Sequence, residues 1–95
     1  MVQVHPERLF FGVLQHGKHV AAKGLTIRSR MYQNKPVSVR LDCPLFSANV
    51  RQSAPDAWQV TVSFSPLRKG EITGELRAYV DGQLLCKVPL SAYVQ

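Results

Sequence analysis

Ninety-five residues with 45% apolar side chains suffice for one domain with a modest core, since a chain of this size buries about 60 to 70% of its unfolded surface. No apolar stretch approaches the ~20 residues of a transmembrane segment, and no tract is repeated or low in complexity. The net charge of +6 belongs to residues 1 to 51, where eight Lys/Arg stand against Glu7 and Asp42, while residues 52 to 95 carry four cations and four acids.

Such a field favours acidic peptides, nucleic acid or anionic lipid without specificity. No basic run reaches the five to eight residues of a polybasic patch, so the cations read first as solvated strand faces and loops. The opening Met-Val-Gln-Val-His-Pro already reads as a strand and lacks the charged and apolar regions of a signal peptide. The expectation is a single module over residues 1 to 95, excised from a larger protein with Met1 added.

Val2 and Val4 open a short strand that His5-Pro6 interrupts and Arg8-Leu9-Phe10-Phe11-Gly12 resumes. Proline offers no ladder donor, so an edge strand that bends or switches is expected here. Gln15-His16-Gly17-Lys18 is a turn. Residues 19 to 30 read as a long strand with Val20 and Ala22 on one parity and Leu25 and Ile27 on the other, and the change at Lys23-Gly24 predicts a bulge. Tyr32 to Lys35 make a polar turn. After Pro36, Val37, Val39 and Leu41 face the core while Ser38, Arg40 and Asp42 face water, and Phe46, Ala48 and Val50 continue the pattern beyond Pro44.

Ser53 to Asp56 read as a loop. Trp58, Val60, Val62 and Phe64 then alternate with Gln59, Thr61, Ser63 and Ser65, and a period of two marks a half-buried strand. Pro66 to Gly70 connect to two further alternating runs, Ile72, Leu76 and Ala78 in one and Leu84, Cys86, Val88, Leu90, Ala92 and Val94 in the other. No segment keeps a helical period. Seven to eight short strands so spaced predict an all-β, immunoglobulin-like antiparallel β-sandwich.

Asp81-Gly82 between alternating runs is the signature of a two-residue type I′ hairpin. Parity argues against it, because that loop places Leu76 opposite Lys87 and Arg77 opposite Cys86. A three-residue loop, Val80-Asp81-Gly82, with Gly82 as a left-handed bulge residue, pairs Ala78 with Leu84 and Leu76 with Cys86 instead. Its outer face pairs Tyr79 with Gln83, Arg77 with Leu85 and Glu75 with Lys87. This register is preferred because a one-residue slip turns a strand inside out and buries Lys87.

Little in the chain points to catalysis. Cys43 has no neighbouring base, no Ser or Cys sits in a nucleophile elbow, and Gly-rich phosphate motifs are absent. No catalytic residue and no cofactor is expected. His5, His16 and His19 are the only histidines; three imidazoles form a zinc set when they converge, but nothing in their spacing demands it, and no metal is expected. Cys43 and Cys86 form one disulfide or none. A bridge needs the two sites within ~7 Å, and a free cysteine is comfortable as a small buried apolar residue.

Several motifs carry a family resemblance: Pro6 followed by Leu9-Phe10-Phe11-Gly12, then Gly17-Lys18, Leu25-Thr26-Ile27, Lys35-Pro36-Val37, the run from Trp58 to Pro66, the run from Gly70 to Leu76, and Val88-Pro89-Leu90. Together they resemble the Hydin-type (ASH) immunoglobulin-like modules, with their bacterial domain-of-unknown-function, PapD-like and major sperm protein relatives. The resemblance covers nearly the whole chain. It implies a sandwich without an active site, used as a non-catalytic protein-interaction, spacer or scaffold module alongside other domains of a larger protein. It also implies a location in the bacterial envelope or outside the cell, or at a eukaryotic cilium or centrosome.

With the sheet order of that family, Arg40, Arg77, Tyr79, Leu85 and Lys87 share one exposed surface. Aromatic and apolar groups rimmed by cations suit a protein or acidic peptide partner. An alternative is β-strand addition along the His5-Pro6 edge or the last strand, as in PapD-like chaperones. No specific nucleic acid is expected, because a single Tyr79 is too little aromatic surface for base stacking.

Overall fold

The alternation resolves into eight strands: β1 (Gln3–His5), β2 (Leu9–Leu14), β3 (Ala21–Arg28), β4 (Ser38–Leu41), β5 (Phe46–Ala54), β6 (Ala57–Phe64), β7 (Gly70–Val80) and β8 (Gln83–Val94). The computed structural model describes all residues, Met1–Gln95. No helix is long and apolar enough to cross a membrane. One sheet runs β1-β3-β6-β5 and the other β2-β8-β7-β4. With its first strand divided between the sheets, this is the ABED-on-CFG order of constant-type immunoglobulin sandwiches.

The division falls where proline interrupts the ladder. β1 pairs antiparallel with β3 at the edge of the first sheet, and β2 pairs parallel with β8 at the edge of the second. The switching edge strand read from His5-Pro6 is therefore present. Between the sheets lie Leu25, Ile27, Trp58, Val60, Val62, Phe64, Ile72, Leu76, Val88 and Leu90, all essentially inaccessible to solvent, and each such side chain contributes about 1.5–3 kcal/mol by leaving water. Phe11, Phe46 and Phe64 fill one end, with tilted rings whose centroids lie 4.8 to 6.0 Å apart. Gly74 admits this cluster, for a Cβ there would meet the Phe46 ring at 3.1 Å. Cys43 is buried, Cys86 is half-buried, and both are free thiols.

Three expectations are corrected. The β7–β8 turn is the two-residue type I′ form after all: Asp81 and Gly82 take φ of 51° and 78°, and Val80 pairs with Gln83. Parity is restored one step further on. Tyr79 faces Leu84 but Ala78 faces Cys86, so Leu85 is an extra residue in β8, and both it and Cys86 pack against the core. Leu84 instead lies on the outer face, 46% exposed, and Glu75 faces Pro89 where Lys87 was expected. The parity test assumed that any bulge lay in the turn; a bulge inside the strand satisfies both the turn signature and the alternation.

β3 has no bulge. Its pairing with β6 is unbroken from Ala21 to Arg28, and Val20 and Ala22 are exposed. β1 covers β3 only from Thr26 to Arg28, so the first half of β3 forms an uncovered rim where apolar residues need not face the core. The third correction is the Ser53 to Asp56 loop, which is shorter than read. β5 runs on to Ala54, which pairs with Ala57 across Pro55-Asp56.

Candidate functional site

The antiparallel ladders of β4, β7 and β8 bring three cations into one row. Arg40 faces Arg77, and Arg77 faces Lys87. Directly opposed residues share a face of the sheet with Cβ atoms about 4.5–5.5 Å apart, where like charges destabilise the pair. The adjoining row is Ser38, Tyr79 and Leu84. Arg40, Arg77 and Lys87 are exposed and Tyr79 is half-buried, so four of the residues read from the sequence share this surface. Leu85 does not; Leu84 stands in its place.

Local contacts shape the surface. The Arg40 guanidinium carbon lies 5.9 Å from the centre of the Tyr79 ring, within the range of cation–π attraction. Arg77 Nε donates to Glu75 Oε1 at 2.7 Å; that hydrogen bond first, and Tyr79 second, hold the guanidinium above its ordinary pKa. Asp42 Oδ1 accepts the Glu75 backbone N–H at 2.8 Å, extending the β4–β7 ladder by a side chain. Arg40, Leu41, Asp42, Glu75, Arg77 and Tyr79 line a shallow depression. Asp42 and Glu75 were not among the binding residues read from the sequence, yet they line the depression; Glu75 pairs with Arg77, while Arg40 and Lys87 have no carboxylate partner.

The far end of the face is braced by the turn before β4. Lys35 Nζ pairs with Asp81 Oδ2 at 2.9 Å, and the Tyr32 hydroxyl donates to Gln83 Oε1 at 3.2 Å. The hydrogen bond to Asp81 and its charge raise the Lys35 pKa.

The last strand is an inner strand over part of its length. β2 pairs with β8 from Leu90 to Val94, while residues 83 to 89, the unpaired Leu85 excepted, pair with β7 alone. Beside this open half-edge lies a groove lined by Val2, Val4, Glu7, Arg8, Lys87 and Pro89. The histidines do not assemble, and no three His, Cys, Asp or Glu side chains gather as a metal set. His16 Nε2 instead lies 3.2 Å from the Leu67 carbonyl oxygen.

No family model matches the sequence, and no curated protein matches it. Solved structures match its fold. The ASH / PapD-like domain 7 of human CEP192 superposes with a TM-score of 0.67 at 12% identity, over 99% of this chain and 84% of that one. Domains 4 and 5 of the S-layer protein SbsC give a TM-score of 0.60 at 16% identity, over 98% of this chain and 44% of that one. The BIgI domain of beta protein from S. agalactiae, solved bound to CEACAM1, gives 0.56 at 17% identity, over 100% of this chain and 95% of that one. The chain thus spans less than half of the S-layer structure and most of the other two. Its fold is an immunoglobulin-like β-sandwich, the shape it shares with these three structures.

Proposed function

We propose that this chain is a non-catalytic protein-interaction module of a larger protein, and that it takes an acidic segment of its partner on the outer face of β4, β7 and β8. The observation that supports this reading is the in-register row Arg40, Arg77 and Lys87. A sheet gains no stability from like charges set opposite one another; Tyr79 and Leu84 beside them supply the aromatic and apolar contact that interfaces favour. Arg40, Arg77, Tyr79 and Lys87 are the proposed binding residues. The BIgI domain, a sandwich of similar shape, is solved bound to another protein, which supports the general role and not the choice of face.

The test is capture of binding partners by the wild-type chain and by the triple variant Arg40→Glu, Arg77→Glu, Lys87→Glu, with melting curves for both. Loss of capture with little change in melting temperature is expected, because exposed charges act more on association than on stability. Equal capture by the two proteins would discard this face.

Strand addition is the second reading, favoured by the open half-edge of β8 between residues 83 and 89. An extended partner would pair with its backbone while side chains enter the groove at Val2, Val4 and Pro89. Under this reading capture survives charge reversal, and amides of residues 83 to 88 that exchange quickly in the free chain become protected in the complex. Unchanged exchange in the complex discards it.

A further inference from the structure

Three strand pairings bring two loops together at one end of the sandwich. Leu14 lies beside Val94, Val94 beside Gly70, and Ala21 beside Phe64, so the β2–β3 loop (residues 15–20) and the β6–β7 loop (residues 65–69) leave the sheets side by side. They are fastened to each other. The Gly17 N–H donates to the Pro66 carbonyl oxygen at 2.8 Å, and His16 Nε2 lies 3.2 Å from the Leu67 carbonyl oxygen. Pro66 is buried, yet Leu67 beside it is 65% exposed, and Val20 on the other loop is 59% exposed. A single exposed apolar residue needs no explanation, but Val13 and Tyr93, opposed in the last row of the adjoining sheet, are also exposed at this end. Lys18, Arg68 and Lys69 stand among them, all exposed, and neither loop contains a carboxylate. The ion pairs of the chain, Lys35–Asp81 and Arg77–Glu75, lie elsewhere. Of the acids on adjoining strand ends, Asp42 accepts the Glu75 N–H and Glu71 faces Tyr93 on the outer sheet face, so the three loop cations have no partner.

We infer that this end of the sandwich docks on an anionic lipid surface, with Leu67 and Val20 entering the headgroup region, Tyr93 at its margin, and Lys18, Arg68 and Lys69 against the lipid anions. Each Lys or Arg held near an anionic leaflet strengthens binding roughly fivefold. Apolar side chains that reach the boundary between headgroups and acyl chains add a contribution that charge does not supply, and a tyrosine suits that boundary because one end of its ring system stays wet. Nucleic acid, or a run of acidic side chains, would meet the cations and leave Leu67 and Val20 in water. A lipid surface satisfies both kinds of group, and binding through so few of each is reversible. The row Arg40, Arg77 and Lys87 takes no part, so this inference stands apart from the proposed peptide face.

The experiment is co-sedimentation of the whole chain with vesicles of equimolar phosphatidylserine and phosphatidylcholine, against vesicles of phosphatidylcholine alone. Binding to the anionic vesicles only is expected, and it falls as salt is raised. Replacing all three loop cations, Lys18→Gln, Arg68→Gln and Lys69→Gln, lowers the partition coefficient about a hundredfold. Leu67→Ser lowers it about tenfold. Neither variant shifts the melting temperature much, because the replaced side chains are exposed. Leu67→Trp supplies a second readout: its emission moves to the blue when anionic vesicles are added, while the wholly buried Trp58 contributes a constant background.

Absence of sedimentation with the anionic vesicles overturns the proposal. So does sedimentation that the Leu67→Ser chain matches, or a Leu67→Trp emission that vesicles leave unchanged, since either reduces this end to general charge attraction. A labelled DNA duplex or polyglutamate that binds through the three loop cations, where vesicles do not, identifies a nucleic acid or an acidic protein as the partner instead. Charge reversal at Arg40, Arg77 and Lys87 is expected to weaken vesicle binding less than loss of the three loop cations does. The opposite order assigns the lipid to the sheet face and overturns the assignment to this end, so the two surfaces are read separately.

Discussion

Trp58 donates its indole N–H to the backbone oxygen of Lys35 at 3.1 Å, and the ammonium of the same lysine pairs with Asp81 at 2.9 Å. A wholly buried ring is thereby tied to the turn that launches β4 and, through Lys35, to the tip of the β7–β8 hairpin. Core packing and the placement of the outer face share one chain of contacts.

Trp58→Ala is therefore expected to cost about 3–5 kcal/mol, and Trp58→Phe less, about 1–3 kcal/mol, chiefly for the Lys35 carbonyl left without its donor. Urea denaturation of the two variants checks this ordering. An unchanged melting temperature in Trp58→Ala would contradict the inward assignment.

Gly82 and Gly74 resist substitution for different reasons. At Gly82, with φ of 78° and open space around a Cβ, Gly82→Ala is expected to cost about 1–2 kcal/mol of backbone strain, and Gly82→Val more. At Gly74 an added Cβ would press on the Phe46 ring at 3.1 Å and Asp42 Oδ1 at 3.3 Å. Gly74→Ala should thus be relieved in part by a second change, Phe46→Leu, whereas Gly82→Ala should not. A double-mutant cycle by thermal denaturation decides between the two mechanisms.

Lys87→Glu is expected to stabilise the fold while weakening partner capture. It converts the opposed pair Arg77 and Lys87 from repulsion to attraction, a change of about 0.2–1 kcal/mol for cross-strand pairs. Added salt should narrow the gap between the two proteins, because exposed charges are screened. Melting curves at low and high ionic strength measure both effects, and a less stable variant would refute the opposed placement.

The Cys86 thiol is pushed above its ordinary pKa by burial. Alkylation of Cys86, followed in a Cys43→Ala chain, should set in at higher pH than for a free cysteine, since the thiolate is the reactive form. The linkage to stability follows in sign. The folded state keeps its proton to a higher pH than the unfolded state, so this contribution is complete below the ordinary thiol pKa and is lost as pH rises through the folded value. An alkylation profile matching free cysteine would show the thiol to be solvated.

Much of this architecture was legible in residue order. The period of two from Trp58 to Phe64 named its own buried face, and Pro6 marked where the first strand leaves one sheet for the other. Leu84 and Leu85 were assigned to each other's faces, because two adjacent leucines carry no mark of which one is unpaired. Val20 and Ala22 misled in the same way: apolarity at a strand rim looks like apolarity in a core until the neighbouring strand is known to stop short.

For the basic face, alternation alone assigns Arg40, Arg77 and Tyr79 to the side away from the core, since each is flanked by buried or half-buried neighbours. That Arg40 lies against Arg77 and Arg77 against Lys87 follows instead from the strand order β8-β7-β4 and the extra residue at Leu85. Alternation reports which side of a strand a residue occupies. Which strand lies beside it, and in what register, depends on contacts between distant segments and on where one residue is left out of the ladder.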